Sequence, residues 1–274
     1  MTTVDLCDEL ELTRLGPGSP SRYAMLWHQE APAPSDIDWS LRSDLAVRAH
    51  LALEGHLGRA LPVQLALRKR IPIGGGLGGG SSNAAAMLRA CAQLFDLHDD
   101  VTAEDLGCLA QTLGSDVPFL VHGGTAVVEG LGERLTPAAA PPGCLVLVMS
   151  DTRCDTGRVY GRYDQAGPVA LRPDAVQAAV EGNGPCFNDL AQAAMDESTV
   201  LRTLAKAVQE ISQRDVHVSG SGSTLFVRCD ARLEAKTLTE RLIDQLDVAA
   251  VVAQPCPSSV IQAGTASATR SPDA

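Results

Sequence analysis

No stretch of this 274-residue sequence approaches the roughly 18–20 consecutive apolar residues that a helix needs to cross a bilayer. The opening segment, MTTVDLCDELEL, is acidic and lacks the basic-then-apolar order of a secretory signal, so the cytoplasm is the expected compartment. The 8 cysteines include no C-x-x-C pair, which argues against zinc and disulfide frameworks and leaves buried free thiols as the expectation. The 6 histidines contain neither H-E-x-x-H nor an i, i+4 pair, so no histidine metal site is expected. Basic residues are outnumbered, 22 against 33, giving a net charge of −11. A general nucleic-acid binder needs a basic face to displace counterions and is excluded. A phosphorylated small molecule is not, because a few local donors can outweigh a distributed charge.

What the sequence does contain is a run of glycine. Between Gly74 and Gly80 every residue but Leu77 is glycine, in the setting RIPIGGGLGGGSSNAAAML. Glycine loses the most backbone freedom on folding, so a cluster of it needs a compensating reason. Bare N–H groups in such a loop form a concave anion site. A helix over about 81–94 would follow, and its first N–H groups and dipole also favour negative charge. Ser81, Ser82 and Asn83 add side-chain donors. The competing reading is a flexible linker, but Ile71, Pro72, Ile73 and Leu77 suit a linker poorly. A Walker loop requires a lysine after the last glycine and is excluded here. Gly74, Gly76 and Gly79 satisfy G-x-G-x-x-G formally, without the βαβ unit and acidic ribose ligand of a dinucleotide fold.

The rest of the chain reads as irregularly alternating strands and helices, which predicts an α+β protein. Residues 4–12 and 61–70 pattern as strands, with a short strand near Tyr23–Trp27. A helix is expected after Ser43, stopping at Gly58, and another over TAEDLGCLAQTLG with a Thr102–Asp105 capping box and Gly114 as its stop. AAAPPG, residues 138–143, is the expected boundary between a domain at 1–140 and a second at 141–256. Beyond it come a buried strand (CLVLVMS), helices over about 187–195 and 200–213, a strand–turn–strand unit (VHVSGSGSTLFVR), an amphipathic helix and a closing strand. Residues 257–274 have the composition of a disordered tail.

The segment PIGGGLGGGSSNAAA resembles the phosphate loop of the GHMP kinases, the superfamily of galactokinase, homoserine, mevalonate and phosphomevalonate kinases. TLGSDVPFLVHGGTAVVEGLGERLTP, DTGRVY, FNDL, VSGSGSTLFV and SDLAVRA resemble further motifs of that family, in the family's order and over about residues 4–253; the family usually has Asn at the position of Asp44. The form with doubled glycines before Ser-Ser-Asn-Ala-Ala is similar to members acting on a cytidine-diphosphate-linked sugar alcohol. The resemblance implies a two-domain GHMP kinase fold: a ribosomal protein S5 domain 2-like N-terminal domain, a ferredoxin-like C-terminal domain, and the active site between them. It implies ATP and Mg²⁺ as cofactors and phosphorylation of a small-molecule alcohol.

By the same resemblance Pro72, Ile73, Gly74, Gly75, Gly76, Leu77, Gly78, Gly79, Gly80, Ser81 and Ser82 would hold the nucleotide, and Ser82 would also contact the metal. Lys69 would lie near the nucleotide, its alternative being a solvated strand-end charge. Asp116 would be the catalytic base; its type and place alone equally describe a helix cap. Thr156, Tyr160, Gly220, Ser221 and Gly222 would contact the acceptor, Tyr160 by stacking on its cytosine, although Gly-Ser composition alone describes a hairpin turn. The family opens with a P-A-K-x-N-L strand and a Gly-Tyr-His segment that this sequence does not show. The expectation is a coding start placed too late; the alternatives are a different GHMP acceptor or a non-catalytic nucleotide-binding remnant.

Overall fold

The computed structural model describes residues 1–167, 169–182 and 184–256; the expected tail over 257–274 lies outside them. Three strands form the first sheet: β1 (Glu9–Arg14), β2 (Arg22–Trp27) and β3 (Val63–Lys69), in the order β1-β3-β2. β3 is the centre, antiparallel to β1 and parallel to β2. Its alternation buries Val63, Leu65, Leu67 and Lys69, so the aliphatic face that VQLALRK predicts continues into a buried lysine.

Four helices cover this sheet: α1 (Leu45–Leu57), α2 (Gly79–Leu94), α3 (Ala103–Leu113) and α4 (Val117–His122). The N-cap of α1 is Asp44, not Ser43: its side chain accepts from Ala46 N, and Gly58 ends the helix in the left-handed conformation. The Thr102–Asp105 capping box of α3 is present in both directions. Leu53, Leu65, Met87, Leu88 and Cys91 are fully buried in the resulting core. A hairpin follows, β4 (Ala126–Glu129) with β5 (Arg134–Pro137).

The chain then enters a second core. Its sheet has the order β7-β8-β6-β9, built from β6 (Cys144–Met149), β7 (Val216–Val218), β8 (Leu225–Cys229) and β9 (Ala249–Ala253), all antiparallel. Between β6 and β7 lie α5 (Thr156–Gln165), α6 (Pro173–Val180), α7 (Ala191–Glu197) and α8 (Thr199–Ser212), and α9 (Arg232–Leu246) joins β8 to β9. That is the β-α-β-β-α-β order of a ferredoxin-like sheet.

β6 reads as an unbroken apolar run because both its faces are covered. Cys144, Val146 and Val148 join the core under the C-terminal helices. Leu147 and Met149 face the other way, against Val4, Leu6, Ala33 and, from the glycine run, Leu77. Leu77 is thus an apolar pin that holds the glycine loop against the second sheet. All 8 cysteines are free, with no disulfide among the described residues.

Leu65, at the centre of β3, is 0% exposed. Leu65→Ala is expected to lower unfolding stability by about 2–5 kcal/mol in urea titration, the range for a buried leucine whose cavity does not collapse.

Candidate active site

β3 ends at Lys69 and α2 begins at Gly79, and the segment between is held by one side chain from outside it. Asp8, just before β1, has its side chain 1% exposed and accepts four hydrogen bonds. Oδ2 takes Lys69 Nζ at 2.6 Å and Asn83 Nδ2 at 2.8 Å, while Oδ1 takes the backbone N–H groups of Arg70 at 2.6 Å and Ile71 at 2.8 Å. One carboxylate therefore ties the end of β3 to the first turn of α2. Two expectations change here. Lys69 is neither a solvated strand-end charge nor free for a nucleotide; its side chain is 5% exposed and committed to Asp8. Asn83 is buried and gives its amide to Asp8 rather than to a ligand.

Within the loop, Gly74, Gly76 and Gly78 have φ of 69°, 72° and 67°, alternate positions in the left-handed region that favours glycine. The helix starts two residues earlier than the 81–94 expectation, because Gly79 and Gly80 form its first turn. Polarity in the loop is one-sided. Four of its carbonyls are used: Gly75 O accepts from Thr224 N at 3.0 Å, Gly76 O from Ser219 Oγ at 2.9 Å, Gly78 O from Ser82 N at 2.8 Å and Gly79 O from Ser82 Oγ at 2.8 Å. The N–H groups of Gly74 through Ser81, by contrast, donate to no acceptor among the described residues. Tied carbonyls and free amides leave a patch of positive backbone potential at the mouth of a 16-residue helix, an arrangement that suits an anion.

The glycines also serve a purpose the sequence hides. A Cβ on Gly75 would lie 2.8 Å from Thr224 Oγ1, and one on Gly76 would clash with the carbonyl oxygens of Ser219 and Gly222. At these two positions the close approach is to the protein's own second loop, Ser219–Thr224. That loop is fixed by Asn188, whose Nδ2 donates to Val218 O at 2.8 Å and Gly220 O at 2.7 Å. FNDL read as the start of a helix; its asparagine is the fastener of the Gly220-Ser221-Gly222 turn.

Asp116 precedes α4 and makes no capping bond. Its carboxylate has no hydrogen-bond or ion-pair partner among the described residues, and burial pushes its pKa above the usual aspartate value. It lines a cleft of about 540 Å³ with Tyr160, Val128 and Leu131. α4 sets its position: Leu120 packs on Gly78 of the phosphate loop, and Arg89 of α2 donates to the Leu120 and Val121 carbonyls at 2.7 and 2.8 Å. A Cβ on Gly132, at φ 102°, would clash with the Ser115 carbonyl, so the β4–β5 hairpin sits against the residue before the acid.

Helix α5 connects the two halves of the site. Thr156 and Tyr160 are four residues apart and share one face. Thr156 Oγ1 lies 3.0 Å from Ser221 Oγ, in the loop that seats the glycine run, while Tyr160, 50% exposed, opens on the Asp116 cleft. The structure thus brings Gly74–Ser82, Ser221 and Thr156 into one chain of contacts and Asp116 with Tyr160 into one cleft. It leaves Lys69 behind both, as a strut. Sequence reasoning missed Asp8 and Gly132; for Asp8 a signal was present, an acidic residue in front of a strand that pairs with the strand feeding the loop.

A glycine loop with free amides, an unpartnered carboxylate and a ferredoxin-like second core are parts that a small-molecule kinase can use, and known proteins offer a comparison. The model of the GHMP kinases N terminal domain matches residues 44–124. Among solved structures, a 4-(cytidine 5'-diphospho)-2C-methyl-D-erythritol kinase superposes with a TM-score of 0.71 at 29% identity, covering 92% of this chain and 87% of that one. A homoserine kinase from Cytophaga hutchinsonii superposes with a TM-score of 0.68 at 17% identity over 94% of this chain and 88% of its own, a likeness of fold alone. The fold is therefore that of the GHMP kinases, ATP-dependent enzymes acting on small molecules.

Two curated relatives narrow this further. The 4-diphosphocytidyl-2-C-methyl-D-erythritol kinase of Deinococcus radiodurans is 34% identical over 262 residues, covering 94% of this chain and 80% of the relative. That of Exiguobacterium sibiricum is 35% identical over 248 residues, covering 87% and 82%. The chain belongs to the 4-diphosphocytidyl-2-C-methyl-D-erythritol kinase family.

Removing one partner from a buried ion pair strands the other, so Asp8→Ala is expected to cost about 3–5 kcal/mol of stability by chemical denaturation. Gly76→Ala is expected to weaken ATP binding by calorimetry while leaving the far-ultraviolet spectrum unchanged, because the added methyl displaces the loop from Ser219.

Proposed function

We propose that this chain transfers the γ-phosphoryl group of ATP to the 2-hydroxyl of 4-diphosphocytidyl-2-C-methyl-D-erythritol, in the non-mevalonate supply of isoprenoid precursors. The observation that carries this reading is the row of free amides from Gly74 to Ser81 beside a cleft holding an unpartnered Asp116. Family membership names the acceptor, and the geometry supplies the means.

Phosphoryl transfer asks the protein to position phosphates, offset their charge and align a hydroxyl; little covalent chemistry is left to it. The loop amides would take the phosphate oxygens, and their fixed orientation means no reorganisation as charge shifts during transfer. Asp116 would accept the proton of the attacking hydroxyl. Its raised pKa brings it nearer the pH at which it works, which favours a general base. Tyr160, exposed at the cleft, would stack on the cytosine ring, and Thr156 with Ser221 would hold polar groups of the acceptor.

Mg²⁺ bound among the phosphates would neutralise charge at the transferring group. Ser82 is the residue of this chain that would offer it an oxygen: its hydroxyl hydrogen is given to Gly79 O, so its lone pairs stay open. A magnesium site completed by phosphates and water needs few protein ligands, which suits that single hydroxyl.

Turnover should depend on the cytidine-linked alcohol; a substrate panel in which only homoserine or mevalonate is phosphorylated would move the assignment to another GHMP acceptor. Asp116→Asn is expected to lower kcat by ~10²–10⁴-fold, the usual share of a general base. The same variant should melt no lower than the wild type at pH 7.5. A buried carboxylate with a raised pKa destabilises the fold when ionised, and asparagine removes that burden. In the wild type, kcat/KM should fall as the pH drops through a limb above ~3.9, the ordinary aspartate value, because only the ionised carboxylate can accept the proton.

A further inference from the structure

The phosphate loop meets a strongly anionic ligand with no lysine of its own, and the chain's three lysines are Lys69, Lys206 and Lys236. Lys69 is locked to Asp8; the other two lie exposed on α8 and α9 of the second core. Arginines at or near the loop are mostly committed as well. Arg70 pairs with Glu9 at 2.7 Å and Glu30 at 3.5 Å and lies 2.9 Å from His28 Nε2. Arg89 is half-buried, and its Nη1 is committed to the Leu120 and Val121 carbonyls.

Arg153 differs. It comes from the other core, on the connection between β6 and α5, and its aliphatic stem lies along the loop. Its Cβ, Cγ and Cδ are 3.4, 3.4 and 3.5 Å from where a Gly74 side chain would begin. Its head reaches residues 35–38, where Nη2 donates to Ser35 Oγ and Asp36 O at 3.0 Å each and Nη1 pairs with Asp38 at 3.5 Å. These ties are weak ones. Two are to neutral oxygens, and the ion pair is solvated on both sides, with side chains 40% and 66% exposed.

We propose that Arg153 is the cation of the phosphate site: parked on residues 35–38 in the free protein, it turns to the β- and γ-phosphates of the nucleotide held by Gly74–Ser81. The inference rests on the phosphate reading of that loop and adds to it a ligand from the second core, so that nucleotide binding draws the two halves together. A guanidinium suits the task because it presents several donors in one plane and stays charged. The exchange is favourable because it replaces a solvated carboxylate and two neutral acceptors with a polyanion at a site the loop amides already fix.

The test compares ATP with AMP, which carries the base and sugar but neither distal phosphate, by calorimetry at fixed salt. Arg153→Ala is expected to weaken ATP binding by about tenfold or more, the usual weight of a charge-assisted hydrogen bond, and AMP binding by less than about twofold. Arg153→Lys should recover part of the ATP affinity, and Asp38→Asn, which frees the guanidinium, should tighten ATP and leave AMP unchanged. If Arg153 were only a clasp between the halves, Arg153→Ala would lower the melting temperature and leave the ratio of ATP to AMP affinity unmoved; that result, or unchanged ATP binding, overturns the proposal. Should Arg153→Ala fail to fold, the ratios for Arg153→Lys and Asp38→Asn decide it. Wild-type protein that binds no ATP would overturn the phosphate reading and this inference together.

Discussion

The carboxylate of Asp8 is the constraint on which the site depends. Four donors converge on it from both flanks of the glycine loop: a lysine side chain and two amides from the end of β3, and an asparagine from the start of α2. A loop with glycine at six of seven positions is by itself among the least ordered things a chain can contain. Pinned at both ends by one buried acid, its accessible conformations collapse to those that fit between two fixed points. Removing a charge from water is expensive, and a buried pair is tolerated when every lone pair and proton is used. Here all four bonds are 2.8 Å or shorter.

From that anchor the rest of the site follows. The middle of the loop is held from the opposite side by Ser219 and Thr224, which take up its carbonyls, and by Leu77 in the seam beside Leu147 and Met149. What remains is a row of amides with no acceptor among the described residues. The loop's electrostatic character comes from this asymmetry more than from any side chain. Because the second sheet supplies half of the restraint, the glycine loop belongs to neither core alone. Leu120 on Gly78 and the Arg89 bonds to α4 then carry the same frame to Asp116.

Much of this was legible in the sequence, and the parts that were not share a cause. Periodicity and caps are local, so the Thr102–Asp105 box, the Gly58 stop and the β7–turn–β8 unit read correctly. The glycine loop ahead of α2 was legible because glycine density before an alanine-rich helix has few physical explanations. Lys69 misled because a basic residue at a strand end normally faces water; the acid that buries it lies 61 residues away. Gly75 and Gly76 misled in a subtler way. Their bareness reads as an anion site, but it also admits a second glycine-serine loop more than a hundred residues on, visible only once the sheets are docked. Asn188 and Gly132 act over shorter separations, but again through backbone carbonyls that leave no mark on composition.

A structure of the protein with a non-hydrolysable ATP analogue and the cytidine-linked alcohol tests the central claim most directly. The account predicts the β- and γ-phosphates against the amides of Gly74–Ser81, with Asp8 still joined to Lys69 and Asn83 and the acceptor hydroxyl within hydrogen-bond reach of Asp116. A triphosphate bound elsewhere with that row of amides empty, or an acceptor turned away from Asp116, would contradict it.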